Sequence, residues 1–271
     1  MCTLLLAIGQ HPQFPFVLAG NRDEFYKRAT QPAGWWPEFP NVYGGRDLAG
    51  GGTWLGITKS GRFATLTNYR DLNNLTPNAP TRGTVVSDFL TSDKHPLAYL
   101  EEVVPTLNRY NGFNLLVGLL KNERGVPEIW YLHHGQKTSL SIPIKLQSGI
   151  YGLSNAALNT PWPKVVIGRS RFADILHKEA PKPAHFLALL EDETIYPDED
   201  LPQTGVSQEW ERVLSAMCIR SPAYGTRVNS VLQADHQGLL HFWERTYLPD
   251  TQTYEVQDIL IQSHHPLLNM M

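Results

Sequence analysis

The sequence has no stretch approaching the roughly 20 apolar residues that a membrane-spanning helix needs. It also has no basic run able to track a phosphate backbone. Its 23 basic and 26 acidic residues leave a formal net charge of −3, so nucleic acid is not an expected partner, and without a long apolar stretch no membrane-spanning helix is expected. Cysteine is scarce. Cys2 and Cys218 are the only two in 271 residues, too few for a disulfide framework and suited to a reducing, cytoplasmic setting. Residues 3–8 are apolar but follow no basic stretch and are shorter than a signal-peptide core, so they read as a buried strand. Internal repeats and low-complexity tracts are lacking. The glycines Gly50, Gly51 and Gly52 are not followed by the Gly-Lys-Ser/Thr ending of a phosphate loop, which removes that nucleotide-binding motif. The pairs His133-His134 and His264-His265 are adjacent residues, which on a strand point to opposite faces, so they read as surface histidines and no structural metal is expected.

What is present is enough apolar content, 42% of the chain, to bury one large core. The reading is one domain spanning residues 1–271. Residues 3–8 and 16–19, separated by Gly9, Pro12 and Pro15, predict two paired strands that open the domain. Residues 30–46, rich in Pro, Gly and aromatics, read as a long irregular loop. Residues 54–58 and 63–67 flank Lys59, Ser60 and Gly61 as a hairpin. Helical spacing marks residues 84–92, 96–109, 162–180 and 184–191, the third with a stripe of Val166, Phe172, Ile175 and Leu176. Between them, residues 115–120, 128–133, 140–146 and 149–153 predict a strand meander, and residues 226–233 and 239–247 a late hairpin around Gly238. Cys218 falls in a segment read as helical and as core packing. Strands, helices, strands, helices, strands is the order of an α/β fold with two antiparallel sheets packed together and helices outside, a four-layer αββα sandwich.

Position 2 is chemically special. If Met1 is removed, Cys2 becomes the terminal residue and carries both a thiol, of ordinary pKa about 8.5, and an α-amine near 7.7 to 8.0. One residue then holds a nucleophile and a base that work at neutral pH. Taken alone, a Cys at position 2 is as well explained as a small apolar residue starting a strand. The next polar cluster, Asn21-Arg22-Asp23-Glu24, follows the strand expected to pair with that of Cys2, which returns it beside the thiol. There an Asp can hold the ammonium and an Arg can favour the thiolate or meet an anion. The same four residues are also ordinary in an exposed turn.

These residues resemble a known family. Met1-Cys2-Thr3 through Asn21-Arg22-Asp23-Glu24, then Gly51-Gly52-Thr53-Trp54-Leu55-Gly56, Thr67-Asn68-Tyr69-Arg70, Gly152-Leu153-Ser154-Asn155 and Tyr224-Gly225-Thr226-Arg227, resemble the NRDE family, also called the transport-and-Golgi-organisation family. More distantly the pattern is similar to N-terminal-nucleophile hydrolases such as penicillin V acylases and bile-salt hydrolases. The resemblance implies Cys2 as nucleophile, Asp23 as the group that orients its amine, Asn68 and Asn155 on the oxyanion side, and Arg227 as the cation near the thiolate. Asn21, Arg22, Glu24, Trp54 and Tyr224 are the candidate ligand contacts. The arginine those hydrolases carry just before their asparagine is missing, since Gly20 precedes Asn21 and the arginine follows it as Arg22. Without the resemblance, Asn68 and Asn155 read equally well as turn formers at strand ends.

Two functions follow from the resemblance. One is intracellular haem binding and trafficking, together with acyl-CoA or lipid handling, in which Cys2 or a histidine ligates iron and Arg22 meets propionates or phosphates. The other is an amidohydrolase that cleaves a non-peptide C–N bond through a cysteinyl acyl-enzyme. The expected partner is a small molecule: haem, an acyl-CoA or an amide. The resemblance sets the binding and trafficking reading narrowly first.

Overall fold

The computed structural model describes residues 2–121, 125–135 and 141–263. In chain order its strands are β1 (Cys2–Ile8), β2 (Phe16–Phe25), β3 (Thr30–Trp36), β4 (Phe39–Asp47), β5 (Leu55–Thr58), β6 (Arg62–Asn68), β7 (Phe113–Leu119), β8 (Glu128–His134), β9 (Ile144–Lys145), β10 (Gly149–Leu153), β11 (Tyr224–Ala234), β12 (Leu239–Leu248) and β13 (Thr253–Gln262). The α-helices are α1 (Gly83–Thr91), α2 (Pro96–Val103), α3 (Pro163–Leu176), α4 (Pro183–Leu190) and α5 (Gln208–Ser215). Hydrogen bonds gather the strands into two antiparallel sheets, one ordered β10-β1-β2-β11-β12-β13 and the other β3-β4-β5-β6-β7-β8-β9.

Alternation along each strand sorts the side chains into layers. On β1, Leu4 and Leu6 enter the core between the sheets with Phe16, Leu18, Phe63 and Leu116. Leu5 and Ala7 point the other way and pack with Phe172 of α3 and Phe186 of α4. On the second sheet, Ala64, Leu66, Leu115 and Val117 pack with Phe89 of α1 and Leu100 of α2. Three buried layers between two sheets and two helical layers make the αββα sandwich that the element order implies. No described helix is long and apolar enough to cross a membrane.

Several local expectations are corrected. Residues 30–46 are not an irregular loop but the hairpin β3–β4, whose register slips between Gln31 and Gly34 and between Trp35 and Trp36; Pro32, which has no N–H to give a ladder, sits in the first slip. β2 does not end at Ala19. It runs on through Asn21-Arg22-Asp23-Glu24 because β1 and β11 both offer it partners. The helix expected over residues 96–109 stops at Val103 and tightens into a 3₁₀ turn where Pro105 withdraws a donor. Val166 is 51% exposed, and α3 buries Val165, Phe172 and Leu176 instead. Cys218 is buried, as expected, but in an irregular segment beyond α5. The calls on Met1, Leu140, His264 and His265 lie outside the described residues.

One polar joint ties the sheets together. Glu244 of β12 is fully buried, and its Oε1 accepts the backbone N–H of Ala33 on β3 at 2.8 Å. Ser230 and Thr246 donate their hydroxyls to the same carboxyl. Burial pushes the Glu244 carboxyl up to about 7 from an ordinary 4.5. The folded state therefore holds a proton that the unfolded chain has released, and the contribution of Glu244 to stability is full below about 4.5 and falls as pH rises through about 7. Glu244→Gln keeps an acceptor for Ala33 and removes the titration. Denaturant unfolding of this variant is expected to lose the decline of stability between pH 4.5 and 7 that the wild type shows.

Candidate functional site

The alternation that sends Leu4 and Leu6 between the sheets sends Cys2 there too, at the end of β1. Cys2 is directly opposite Arg22 in the β1–β2 ladder, so both side chains lie on the inter-sheet face. They open into a cavity of about 460 Å³ whose walls include Glu24, Arg28, Asp47, Trp54, Asn68 and Arg82. Cys2 is 6% exposed. Burial pushes its thiol up, and Arg22 pulls the other way. The carbonyl of Cys2 accepts the Ser154 hydroxyl at 3.1 Å, which ties β1 to the end of β10.

The Arg22 guanidinium lies over the Trp54 ring, 4.5 Å from its centroid, and donates to Thr30 Oγ1. Its guanidinium reaches Glu24 at 3.6 Å and Asp47 at 4.0 Å. Arg28 holds Asp47 through Nε and Nη2 at 2.9 to 3.1 Å and stands 3.6 Å from Glu24. Burial works against the ionised Asp47, but Arg28 and the N–H of Gly50 hold its carboxyl below the usual range. Arg82, just before α1, donates one N–H to the Gly112 carbonyl at 3.0 Å. Its position depends on Gly52, which has φ +75° and whose missing Cβ would fall 2.4 Å from the Gly83 carbonyl. The Gly-Gly-Thr-Trp block thus lets the start of α1 close down on the cavity.

Asp23 faces the opposite side of β2, toward α3. It is 1% exposed, and its Oδ1 accepts the Thr226 hydroxyl at 2.7 Å. Burial raises its carboxyl, while Lys164 and Thr226 favour the ionised form. Lys164 of α3 is itself buried, donates to the Leu214 carbonyl at 2.8 Å, and is pushed down by burial to about 8. Tyr224 is buried beside this group, with its phenol raised well above the ordinary value by burial and then by Asp23 and Cys2.

The structure brings Cys2, Arg22, Asp23, Glu24, Trp54 and Asn68 together around the cavity. Asn155 is adjacent but committed: its Nδ2 donates to the Asn68 carbonyl at 2.8 Å and so fixes where β6 ends. Three expectations are corrected. Tyr224, expected as a ligand contact, is buried and is not among the residues that line the cavity. Asn21 does not face the cavity; its amide donates to the carbonyls of Leu190 and Met217 on the helical side and accepts from Asn229, because it stands one residue out of phase with Arg22. Arg227 is not the cation beside the thiol. It is the extra residue of a β-bulge between Thr226 and Val228, and its Nη1 donates to the carbonyls of Phe25, Tyr26 and Arg28. The bulge turns its side chain onto the β2–β3 turn, and Arg22 and Arg82 occupy the cavity instead. Arg227→Ala is expected to lower stability by about 2–4 kcal/mol through those lost bonds. The alkylation rate of Cys2 in the folded variant should be unchanged; a large fall in that rate would return Arg227 to the site.

Sequence reading missed Arg28, Asp47, Arg82, Lys164 and Thr226. Arg28 and Asp47 flank a segment read as irregular, so nothing marked them as partners. Thr226 stood inside a matched block and was the one recoverable signal: a hydroxyl register-paired with Asp23.

The model of one protein family, Transport and Golgi organisation 2, matches residues 1–249. The chain is 37% identical over 270 residues to the Transport and Golgi organization protein 2 homolog of Bos taurus, covering 93% of this chain and 95% of that protein. It is 35% identical over 276 residues to the Homo sapiens homolog, covering 94% and 98%. It is 30% identical over 266 residues to the Drosophila melanogaster protein, covering 91% and 92%. Among solved structures, a mutant conjugated bile acid hydrolase from Clostridium perfringens is similar at 10% identity and a TM-score of 0.48, covering 96% of this chain and 92% of that one. An N-acylethanolamine-hydrolyzing acid amidase ortholog from Caenorhabditis elegans is similar at 10% identity and a TM-score of 0.44, covering 85% and 92%.

Proposed function

Because the chain belongs to the Transport and Golgi organisation 2 family, we propose, from the site itself, that it is a cysteine acyl-transfer hydrolase cleaving the C–N bond of a small polar amide. The observation that carries this is the placement of the Cys2 thiol on the wall of a polar cavity of about 460 Å³ shared with Asn68 and three arginines. A thiol, an amide donor and a recess for a small molecule are the parts that acyl transfer requires.

In this reading, removal of Met1 frees the α-amine of Cys2. The amine takes the thiol proton, and the thiolate attacks the amide carbon so that a C–S bond forms. Asn68 donates its side-chain N–H to the oxyanion. The C–N bond then breaks, and the amine leaves with the proton returned by the α-ammonium. Water, deprotonated by the same α-amine, attacks the thioester, releases a carboxylic acid and restores the thiol. Asp23, held by Thr226 and Lys164, is the carboxylate that positions the α-amine from behind β2.

The test is intact mass with N-terminal sequencing of protein made in its own host without a tag, followed by incubation with p-nitrophenyl acetate. The expected result is loss of Met1 and one acetyl group on Cys2. Retention of Met1 would exclude the terminal-amine mechanism.

In a haem reading the same thiol would hold the iron, and Arg28 and Arg82 would meet the propionates. The lining fits a porphyrin poorly. Trp54 is the one large aromatic face among the described walls, and Arg22 already covers it, while most other wall residues are charged or polar. A haem titration checks this: a Soret shift lost in Cys2→Ala would put the binding reading first.

A further inference from the structure

We propose that the amide this cavity takes carries a carboxylate, and that Arg82 binds it. The inference rests on the acyl-transfer reading and names the substrate class for it.

The argument is one of charge pairing. Three guanidiniums line the cavity, Arg22, Arg28 and Arg82, and three carboxylates, Asp23, Glu24 and Asp47; Glu24 and Asp47 pair with these arginines. Both carboxylates are in use: Asp47 by the two-pronged contact from Arg28, and Glu24 between Arg22 and Arg28 at 3.6 Å from each. Asp23 faces the other side of β2, toward Thr226 and Lys164. Among the described residues, Arg82 has no carboxylate within ion-pair range; its contact is the Gly112 carbonyl. Burial pulls its guanidinium below the ordinary value, with Cys2 and Glu24 opposing that fall and Arg28 adding to it. A half-buried cation with one neutral partner and a neighbouring cation is completed by an incoming anion.

Geometry selects the kind of anion. A guanidinium offers a planar fork that matches a carboxylate in two parallel bonds. Arg82 shares the cavity with Cys2 and Asn68, so a molecule seated on Arg82 lies beside the thiol. This sets the class as an amide with a carboxylate close to the scissile bond, within reach of a guanidinium that shares the cavity with the thiol. Anchoring there holds the reacting carbon against Cys2. The backbone supports the placement, since Arg82 precedes the first turn of α1, and Gly52 and Gly83 meet closely enough to exclude any Cβ.

The experiment compares alkylation of Cys2 by iodoacetate and iodoacetamide, reagents of nearly equal size that differ in charge. Rates are read by mass spectrometry of the Cys2 peptide and normalised to those of N-acetylcysteine. The wild type is expected to favour iodoacetate by about tenfold after normalisation, the preference a single charge-assisted anchor provides. Arg82→Met should bring the ratio to about one, Arg82→Lys should keep part of it, and added salt should reduce it in the wild type. Arg82→Gln, read beside circular dichroism, serves if the methionine variant does not fold. An unchanged ratio in Arg82→Met or Arg82→Gln, with Cys2 still alkylated by iodoacetamide, overturns the assignment to Arg82 and leaves the acyl-transfer reading standing. Failure of both reagents to reach Cys2 overturns both.

Discussion

Cys2→Ala is expected to abolish acetyl transfer from p-nitrophenyl acetate at this site and to lower hydrolysis of an amide reporter such as a p-nitroanilide by at least about 10³-fold. The thiol is the reacting atom in the proposed cycle, and no other cysteine can replace it: Cys218 is buried in the segment beyond α5 and is not among the walls of the cavity. The change is small in volume, and the Cys2 backbone keeps its bond from Ser154, so the fold should survive. A Tm within a few degrees of wild type together with lost turnover is the expected pair of results. Turnover retained in Cys2→Ala would remove the thiol from the mechanism.

Asn68→Ala is the second large effect. Asn68 ends β6, where its carbonyl accepts the Asn155 amide and its own side chain lines the cavity with Cys2. Removing one oxyanion donor typically lowers kcat by about 10²–10³-fold, or about 2.7–4 kcal/mol. Alkylation of Cys2 by iodoacetamide separates this role from a structural one. Displacement of iodide builds no oxyanion, so its rate should be nearly unchanged in Asn68→Ala while acyl transfer collapses. Equal losses in both reactions would mean that the asparagine only shapes the cavity. Asn155→Ala should behave differently. It releases the Asn68 carbonyl and disorders the end of β6, so both reactions are expected to change together.

Much of the architecture is legible in residue order. The apolar run of residues 3–8 and the helical spacing of residues 84–92 and 184–191 each report a local rule, and those elements stand where the pattern puts them. Residues 30–46 defeat local reading because their pairing relies on two slips of register that no neighbouring residue signals. β13 defeats it because most residues of this edge strand are exposed whether apolar or polar, and its one ladder partner is β12. The site divides the same way. Cys2, Arg22, Asp23 and Asn68 stand in matched blocks, whereas Arg28, Asp47 and Arg82 lie in segments without a motif.

The sequence by itself determined the thiol at position 2, the strand that buries it, the family and the layered class, because each of these is written in a periodicity or a run of adjacent residues. The tertiary structure alone decided which side chains share the cavity. One step of alternation sends Arg22 to the thiol and Asn21 to the helices, and one bulge carries Arg227 onto three backbone carbonyls. Charge pairing between segments distant in the chain leaves Arg82 with a neutral partner, and such pairing exists only after the sheets have packed, since it depends on distance in space and not on order in the chain.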